Sequence, residues 1–573
     1  MLADVAIPMR DHVVLKADVF IPLDREGPFA TILVMTPYGR RRPAMMKFAR
    51  CLSEGGFAVL LQDARGRFQS GGEFLHREEE DGQDTLAWLT RQSWCNGRVG
   101  LLGISLSSFR EFLAASSPSS EGPEIRAIVN FMGAVDIHSA FYHGGALVLH
   151  WALPWGVMMN PQWTGRIAAW QKLPWQQLFR HLPLARVTER TSGAVDLWRQ
   201  VIERPVYDES WRKLDLRHRL SNVRVPVLHL SGWYDNALSQ VLKTYATLAV
   251  PQDGRAPVPQ SLILGPWDHQ TIFFSLLGGG ERTELGALAS IELLPLVLDW
   301  FGHWFGQEAE EGGTRLSARH PGALLYVMEA QTWLEFDTFP PPAREESWYL
   351  TSGGKANTAG GDGALVVTAG ATEGADRFTY DPADPVPTVG GALWPFQSQG
   401  LQPGPADQRE VERRADVLVY TSAPLEEDRL VVGIVRTELW AATSAPDTDF
   451  TAKLVDVAPD GTARLVQDGI LRCRFATGVG ESLVEPGRRY RWRIEIGAIA
   501  HCFRAGHRLR LDISSSNFPR FDRNLNTAEP IHTGSTGVAC EQTVFHGGAT
   551  ASRLLLPILP TSLLTTHRWE GSR

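Results

Sequence analysis

The chain has 573 residues, of which 43% are hydrophobic and 21% charged, and its formal net charge is −8. A chain of this length outgrows one ordinary core and calls for roughly three to four domains. The composition is that of a globular protein, and the modest negative charge excludes a dedicated binder of nucleic acid or of membrane surfaces. The start lacks a basic segment followed by an apolar one, and no apolar run of about 18 residues occurs, so neither a secretory signal nor a membrane span is expected. Cys51, Cys95, Cys473, Cys502 and Cys540 are scattered, odd in number and without C-x-x-C spacing. They read as reduced thiols of a cytoplasmic protein, not as a disulfide frame or a zinc site.

Two strands are predicted over residues 4–23, the second running Val13 to Pro22. Ala30 to Thr36 is an apolar run suited to a central strand, ending in Pro37-Tyr38-Gly39, and Phe48 to Leu52 falls on a helix. Phe57 to Gln62 is a further buried strand, and Asp63-Ala64-Arg65-Gly66 reads as a structural loop after it. Glu78 to Trp94 is a predicted amphipathic helix whose first-turn acids suit the helix dipole. Asn96-Gly97 then turns the chain into an apolar strand, Val99 to Ile104, and Phe109, Phe112 and Leu113 follow at helical spacing. Ser105 sits between that strand and helix, two residues after Gly103. A serine on so sharp a turn is pushed out of the sheet beside the N–H groups of a helix start, which is the physics of a nucleophile elbow. The second glycine of G-x-S-x-G is missing: Ser107 stands there.

A strand at Ile125 to Asn130 continues the alternation, which implies a parallel sheet with helices on both faces. From Ile137 to Leu220 strand signals vanish and seven tryptophans crowd together: Trp151, Trp155, Trp163, Trp170, Trp175, Trp198 and Trp211. This is a predicted helical insertion capping the sheet. Its aromatics line an apolar pocket or fill a plain helical core. Asp208-Glu209 reads as a helix N-cap. The α/β rhythm resumes with strands at Val225 to Leu230, ending in Ser231-Gly232-Trp233-Tyr234-Asp235, and at Ser261 to Leu264, ending in Gly265-Pro266-Trp267-Asp268-His269. A helix from Ile291 to Trp304 is expected to close the α/β unit. After Gly306 the composition shifts to Glu, Gly and Pro, and beyond Ala343 helices give way to short alternating strands such as Tyr490–Ile496 and Leu509–Ile513, with a hairpin turn at Pro459-Asp460-Gly461 and a flexible loop from Gly353 to Gly370. The expected organisation is an α/β domain over 1–136 and 221–342, a helical cap over 137–220 and a β-sandwich or jelly roll over 343–573.

Reactive groups in an open parallel sheet collect outside the carboxyl ends of the strands, where Tyr38, Ser105, Asp235 and His269 all fall. A serine hydroxyl needs an imidazole to take its proton, and the imidazole needs a carboxylate to fix its tautomer. The order Ser105, Asp235, His269 is the nucleophile–acid–base order of α/β-hydrolases. Asp268 is a rival acid, but it adjoins His269, and adjacent side chains rarely point at each other. His143-Gly144-Gly145 follows the serine and so is no lipase-type oxyanion motif. His138, His143 and His150 lack zinc-ligand spacing, and no phosphate-binding or dinucleotide fingerprint is present, so no metal or cofactor is expected.

The chain resembles the cocaine-esterase and X-prolyl dipeptidyl-peptidase family of serine hydrolases. The resemblance is carried by Thr36-Pro37-Tyr38, Gln62-Asp63-Ala64-Arg65-Gly66, Gly103-Ile104-Ser105, Gly232-Trp233-Tyr234-Asp235, Gly265-Pro266-Trp267-Asp268-His269 and, near the end, Ser516-Asn517-Phe518-Pro519-Arg520-Phe521-Asp522. It implies an α/β-hydrolase core with a helical cap and a C-terminal jelly roll. It also implies Ser105 as nucleophile, His269 as base, Asp235 as orienting acid, and an oxyanion hole made of the Tyr38 hydroxyl and the Leu106 N–H. The family usually has tyrosine and glycine where this chain has Leu106 and Ser108, and Ser108 is expected to tighten helix–strand packing. The reading is a serine carboxylesterase acting on a small-molecule acyl ester or amide, with no nucleic-acid or membrane partner and a homodimer left open. Trp151, Trp155 and Trp233 are the expected substrate pocket, suited to a bulky apolar or aromatic acyl group. The alternatives are an X-Pro dipeptidyl aminopeptidase, an amino-acid-ester acylase or an acyltransferase and, outside catalysis, an inactive hydrolase-fold binding protein.

Overall fold

A computed structural model describes residues 1–117, 122–191, 193, 196–251, 256–276, 291–306, 322–394, 400–476 and 480–569. The Glu- and Gly-rich stretch after Gly306 lies outside the described residues. Ten strands form the first sheet: β1 (Leu2–Pro8), β2 (Val14–Phe20), β3 (Phe29–Thr36), β4 (Ala58–Asp63), β5 (Cys95–Ile104), β6 (Glu124–Phe131), β7 (Val227–Tyr234), β8 (Gln260–Asp268), β9 (Gly322–Val327) and β10 (Thr332–Phe336). Their order is β1-β2-β4-β3-β5-β6-β7-β8-β9-β10. From β4 to β9 all neighbours run parallel, and antiparallel strands flank them at both ends.

Both faces of the sheet are covered, which is why its central strands are continuous apolar runs. In β3, Ile32 and Val34 face one core while Leu33 and Met35 face the other. Helices Pro43–Glu54 and Leu293–Phe305 cover the first face, and Glu78–Leu89 and Ser107–Ser116 the second. The predicted Glu78–Trp94 helix stops at Leu89, where the Arg91 and Gln92 N–H groups turn back to the carbonyls of Trp88 and Leu89; the Trp94 carbonyl then accepts from the Phe29 N–H at 2.8 Å as the chain enters β5. The Val225–Leu230 expectation falls short, because Ser231 and Gly232 still pair with β8. Nor does the Leu293–Phe305 helix end the sheet, since β9 and β10 follow it.

Between β6 and β7 lie short helices, the longest Leu149–Met158, and a small ribbon pairs Tyr142–His143 with Ala146–Leu147. The sequence showed no strand there. His143-Gly144-Gly145 is the turn of this ribbon. A Cβ on Gly144 would stand 1.9 Å from the Ile470 carbonyl oxygen, so only glycine allows the approach. An eleven-stranded sheet, with strands from Arg344 to Leu559, makes up the remainder. Trp492, Ile494 and Ile496 are buried while Arg491, Arg493 and Glu495 are exposed, as the alternation requires. Pro459-Asp460-Gly461 turns Asp449–Val457 back onto Ala463–Arg472. Gly353–Gly370, expected as a loop, contains the short strand Ala364–Val366, paired to Tyr349–Thr351. The two sheets share a core in which Tyr326, Trp333 and Phe339 join Leu430, Val432 and Ala500.

Candidate active site

Ser105 follows β5 directly and precedes the Ser107–Ser116 helix. Its φ of 58° lies in the left-handed region that a non-glycine residue adopts only under local constraint. The constraint is visible: the Ser105 N–H donates to the Phe131 carbonyl at 2.9 Å, and its own carbonyl accepts from the Ser108 N–H at 3.1 Å. The turn is so tight that a Cβ on Gly103 would meet the Ser108 Cα at 2.4 Å. Ser108 finds its room elsewhere. Its hydroxyl lies against Gly133, where a Cβ would come within 2.0 Å of Ser108 Oγ, and that hydroxyl is buried without a hydrogen-bond partner. A glycine missing from the elbow is thus matched by a glycine in the loop after β6.

Asp235 stands at the end of β7 and His269 at the end of β8. The carboxylate is buried, accepting from Ser231 Oγ at 2.7 Å, from the Ala237 N–H at 2.9 Å and from His269 Nδ1 at 2.7 Å. With Nδ1 donating to Asp235, Nε2 is left as the acceptor, and it lies 3.1 Å from Ser105 Oγ. The Tyr38 hydroxyl approaches Ser105 Oγ from another side at 3.3 Å. Buried Arg67 steadies the loop that carries Tyr38, donating to the Pro37 carbonyl at 3.0 Å and to the Met159 carbonyl at 2.7 Å. Burial pulls the Arg67 pKa down to about 10. Asp268 accepts from the N–H groups of Gln270 and Thr271 at 2.8 and 3.0 Å, so it stabilises the turn into the next helix. Leu106 is the N-cap residue of the Ser107–Ser116 helix, and N–H groups at a helix start lack partners within it.

Ser105, His269 and Tyr38 open onto one cavity of about 340 Å³. Its walls include Trp151 and Trp155, whose rings are 6.2 Å apart and nearly perpendicular, and Phe141, stacked on Trp151 at 4.8 Å. Trp170 and Trp394 also line it. Trp394 comes from the C-terminal half of the chain and is tied to the cap, its carbonyl accepting from His150 Nε2 at 2.8 Å. Trp175, Trp198 and Trp211 are buried in the core of the helical segment. Trp233 is a correction to the expected pocket. Its indole N–H donates to the Tyr326 carbonyl at 2.7 Å and its ring packs on Phe339, at the joint of the two sheets and away from Ser105. Asp208 caps the Glu209–Arg212 turn, accepting from the N–H groups of Ser210 and Trp211, and does not line the cavity. Asp63 and Arg65 are structural: Asp63 pairs with Arg40, and Arg65 with Asp81 and Asp11. One cavity residue that sequence reasoning missed is Arg42, four residues after Tyr38. Among the described residues no group of three His, Cys, Asp or Glu side chains is placed to hold a metal ion, and no helix is long and apolar enough to cross a membrane.

A family model for X-Pro dipeptidyl-peptidase (S15 family) matches residues 11–271, and one for the X-Pro dipeptidyl-peptidase C-terminal non-catalytic domain matches residues 316–555. The chain is 34% identical to cocaine esterase of Rhodococcus sp. (strain MB1 Bresler), over 97% of this chain and 98% of that one. Among solved structures it resembles an aminopeptidase from a marine sediment Thaumarchaeota archaeon, with a TM-score of 0.81 at 23% identity over 97% of each chain. It also resembles an α-amino acid ester hydrolase, with a TM-score of 0.75 at 21% identity over 97% of this chain and 96% of that one. These two structures share the fold.

Proposed function

This chain belongs to the cocaine esterase and X-Pro dipeptidyl-peptidase (S15) family of serine hydrolases, and from that premise we propose that it cleaves esters of bulky apolar or aromatic acids through an acyl intermediate on Ser105. The observation that carries the reading is the chain of contacts Asp235–His269–Ser105, at 2.7 and 3.1 Å, opening onto an aromatic-walled cavity. In this mechanism His269 Nε2 takes the proton of Ser105 as its Oγ bonds to the ester carbonyl carbon. Asp235 holds the imidazole in the tautomer this needs and stabilises the imidazolium that results. The negative oxygen is met by the Tyr38 hydroxyl and the Leu106 N–H, donors fixed before the charge develops. Collapse breaks the bond to the alcohol oxygen, which leaves with the proton from His269. Water, deprotonated by His269, then attacks the acyl carbon; the acyl–Oγ bond breaks, His269 returns the proton to Ser105 Oγ, and the carboxylic acid departs.

An ester is favoured over an X-Pro amide by the cavity's charge. A substrate with a free ammonium group needs an acidic partner, and among the described residues that line the cavity there is no Asp or Glu. The five cysteines are all free, the state expected in a reducing compartment, so a cytoplasmic enzyme completes the reading.

Fluorophosphonate labelling with peptide mapping tests the nucleophile: one adduct is expected, on Ser105, and none in Ser105→Ala. The acyl preference is read from matched esters. Benzoate is expected to exceed acetate by about tenfold or more in kcat/KM, and equal turnover would reject the aromatic preference. Turnover of X-Pro amides in place of esters would reject the ester reading.

A further inference from the structure

Arg40, Arg41 and Arg42 are consecutive, yet their surroundings differ. Arg40 is buried and ion-paired on every side, contacting Asp63, Asp4 at 2.5 Å and Asp18 at 3.2 Å. Arg41 pairs with Asp4 at 2.8 Å and Asp18 at 3.0 Å. Those three carboxylates satisfy the first two arginines. Arg42 is left half-buried at the start of the Pro43–Glu54 helix, with its side chain in the wall of the cavity that holds Ser105, His269 and Tyr38. Its guanidinium has no acidic partner among the described residues, and it shares the cavity wall with the neutral phenol of Tyr38.

An arginine withdrawn from water without a counter-charge is a cost that a folded chain ordinarily removes by pairing it. Burial depresses the Arg42 pKa from its ordinary value, yet the group remains a cation near neutrality. Nothing acidic on the cavity wall offsets it, and nearby Arg67 adds a second positive charge whose hydrogen bonds go to carbonyls, not to carboxylates. The walls around it are tryptophan, phenylalanine and methionine, so its field is weakly screened inside the cavity. The planar fork of a guanidinium matches the two oxygens of a carboxylate, a pairing stronger than a neutral hydrogen bond.

We propose that Arg42 is a substrate-recognition residue and that the preferred substrate is an ester bearing a free carboxylate, which Arg42 pairs while the ester carbonyl lies at Ser105. The proposal rests on the serine-hydrolase reading and narrows its substrate class to half-esters of dicarboxylic acids or esters of carboxylated alcohols. In both, a carboxylate shares one molecule with the scissile bond, and the test separates the two.

The experiment compares two matched pairs on the full chain and on Arg42→Gln and Arg42→Lys. The first pair is 4-nitrophenyl hemiglutarate against 4-nitrophenyl pentanoate, with the charge in the acyl part. The second is 4-carboxyphenyl benzoate against 4-carbamoylphenyl benzoate, with the charge in the alcohol part. In Arg42→Gln the anionic-to-neutral ratio of kcat/KM is expected to fall roughly 10- to 100-fold in one pair, the size of a lost charge-assisted hydrogen bond. The loss should appear mainly in KM, and Arg42→Lys should restore part of it. The pair that responds assigns the carboxylate to the acyl or the alcohol side. Ratios within twofold of the parent chain in both pairs would overturn the proposal. So would an equal fall on all four esters, which assigns Arg42 to the oxyanion through Tyr38 or to the fold. Failure of the hydrolase reading is seen separately, as no fluorophosphonate adduct and no turnover of any ester by the unaltered chain.

Discussion

Two arginine sites in this molecule use the same side chain to opposite ends. At the joint between the cap ribbon and the C-terminal sheet, Arg472 is buried and held by Asp449 through two contacts of 2.9 Å and by Asp522 at 2.9 Å. The network continues into the cap: the Leu147 N–H donates to Asp522 Oδ1 at 2.8 Å, and the Arg472 N–H donates to the Gly144 carbonyl at 2.8 Å. Burial opposes the charge on Arg472, but its two carboxylates outweigh that and hold its pKa well above the ordinary arginine value. At the Ser105 cavity, Arg42 is given no carboxylate. A saturated cation fixes one part of a fold to another; an unsaturated one on a cavity wall is placed for a ligand. The residues proposed for catalysis, Ser105 and His269, open onto the same cavity, where polar groups still have a face free for a substrate.

The largest effect should follow from breaking the one saturated pair within the site itself. Asp235→Asn leaves the shape of the side chain but lets the amide donate to His269 Nδ1, which turns Nε2 into a donor toward Ser105. A fall in kcat of about 10⁴ is expected with the thermal transition nearly unchanged. Asp268→Asn is the companion variant. Asp268 receives the N–H groups of Gln270 and Thr271, so its loss should cost about 1 kcal/mol of stability and little activity. If Asp268→Asn proved the more damaging to kcat, the assignment of Asp235 as the orienting acid would be wrong.

At the joint the expected damage is to stability. Arg472→Leu would leave Asp449 and Asp522 buried without their arginine, with only neutral donors and His532 beside them, and removing one partner of a buried ion pair costs about 3–5 kcal/mol. Urea unfolding followed by tryptophan fluorescence should show this as an earlier midpoint, while kcat of the folded fraction changes little. Converting Asp449 and Asp522 to asparagine in the same background should recover much of the loss, because the penalty lies in the unpaired charges. A large fall in kcat without loss of stability would mean that the joint also positions the cap over Ser105.

How much of this was legible in the sequence follows from how local each signal is. Ser105, Asp235 and His269 each follow the end of a strand, and strand ends can be read from short apolar runs, so three positions far apart in the chain point to one place. The tryptophans of the cap announced an aromatic region, and Trp151 and Trp155 do line the cavity. Trp233 misled because nearness in sequence to Asp235 does not set direction: on β7 its ring faces the seam packed against Phe339. Trp394 was invisible because its place depends on a contact across 244 residues, His150 to the Trp394 carbonyl. Arg42 was hidden inside a run of three arginines. Only the positions of Asp4, Asp18 and Asp63 in space reveal which of the three is left without a partner.

The smallest expected effect concerns the elbow, where this chain departs from the glycine-rich pattern. A Cβ at Gly133 would meet Ser108 Oγ at 2.0 Å and Asn130 Oδ1 at 2.2 Å, so Gly133→Ala forces the helix start away from β6. Overpacking of this kind costs about 1–3 kcal/mol. Because Ser108 N–H bonds to the Ser105 carbonyl, the displacement should also reach the nucleophile and lower kcat. Ser108→Gly removes the hydroxyl and should be well tolerated by itself, since that hydroxyl has no hydrogen bond to lose. Combined with Gly133→Ala, it should return part of the lost stability and rate, the remainder being the clash with Asn130. A double-mutant cycle on melting temperature and kcat reads the coupling directly. Strict additivity would show that the two positions do not compensate each other, and that the elbow tolerates Ser108 for a reason other than the space above Gly133.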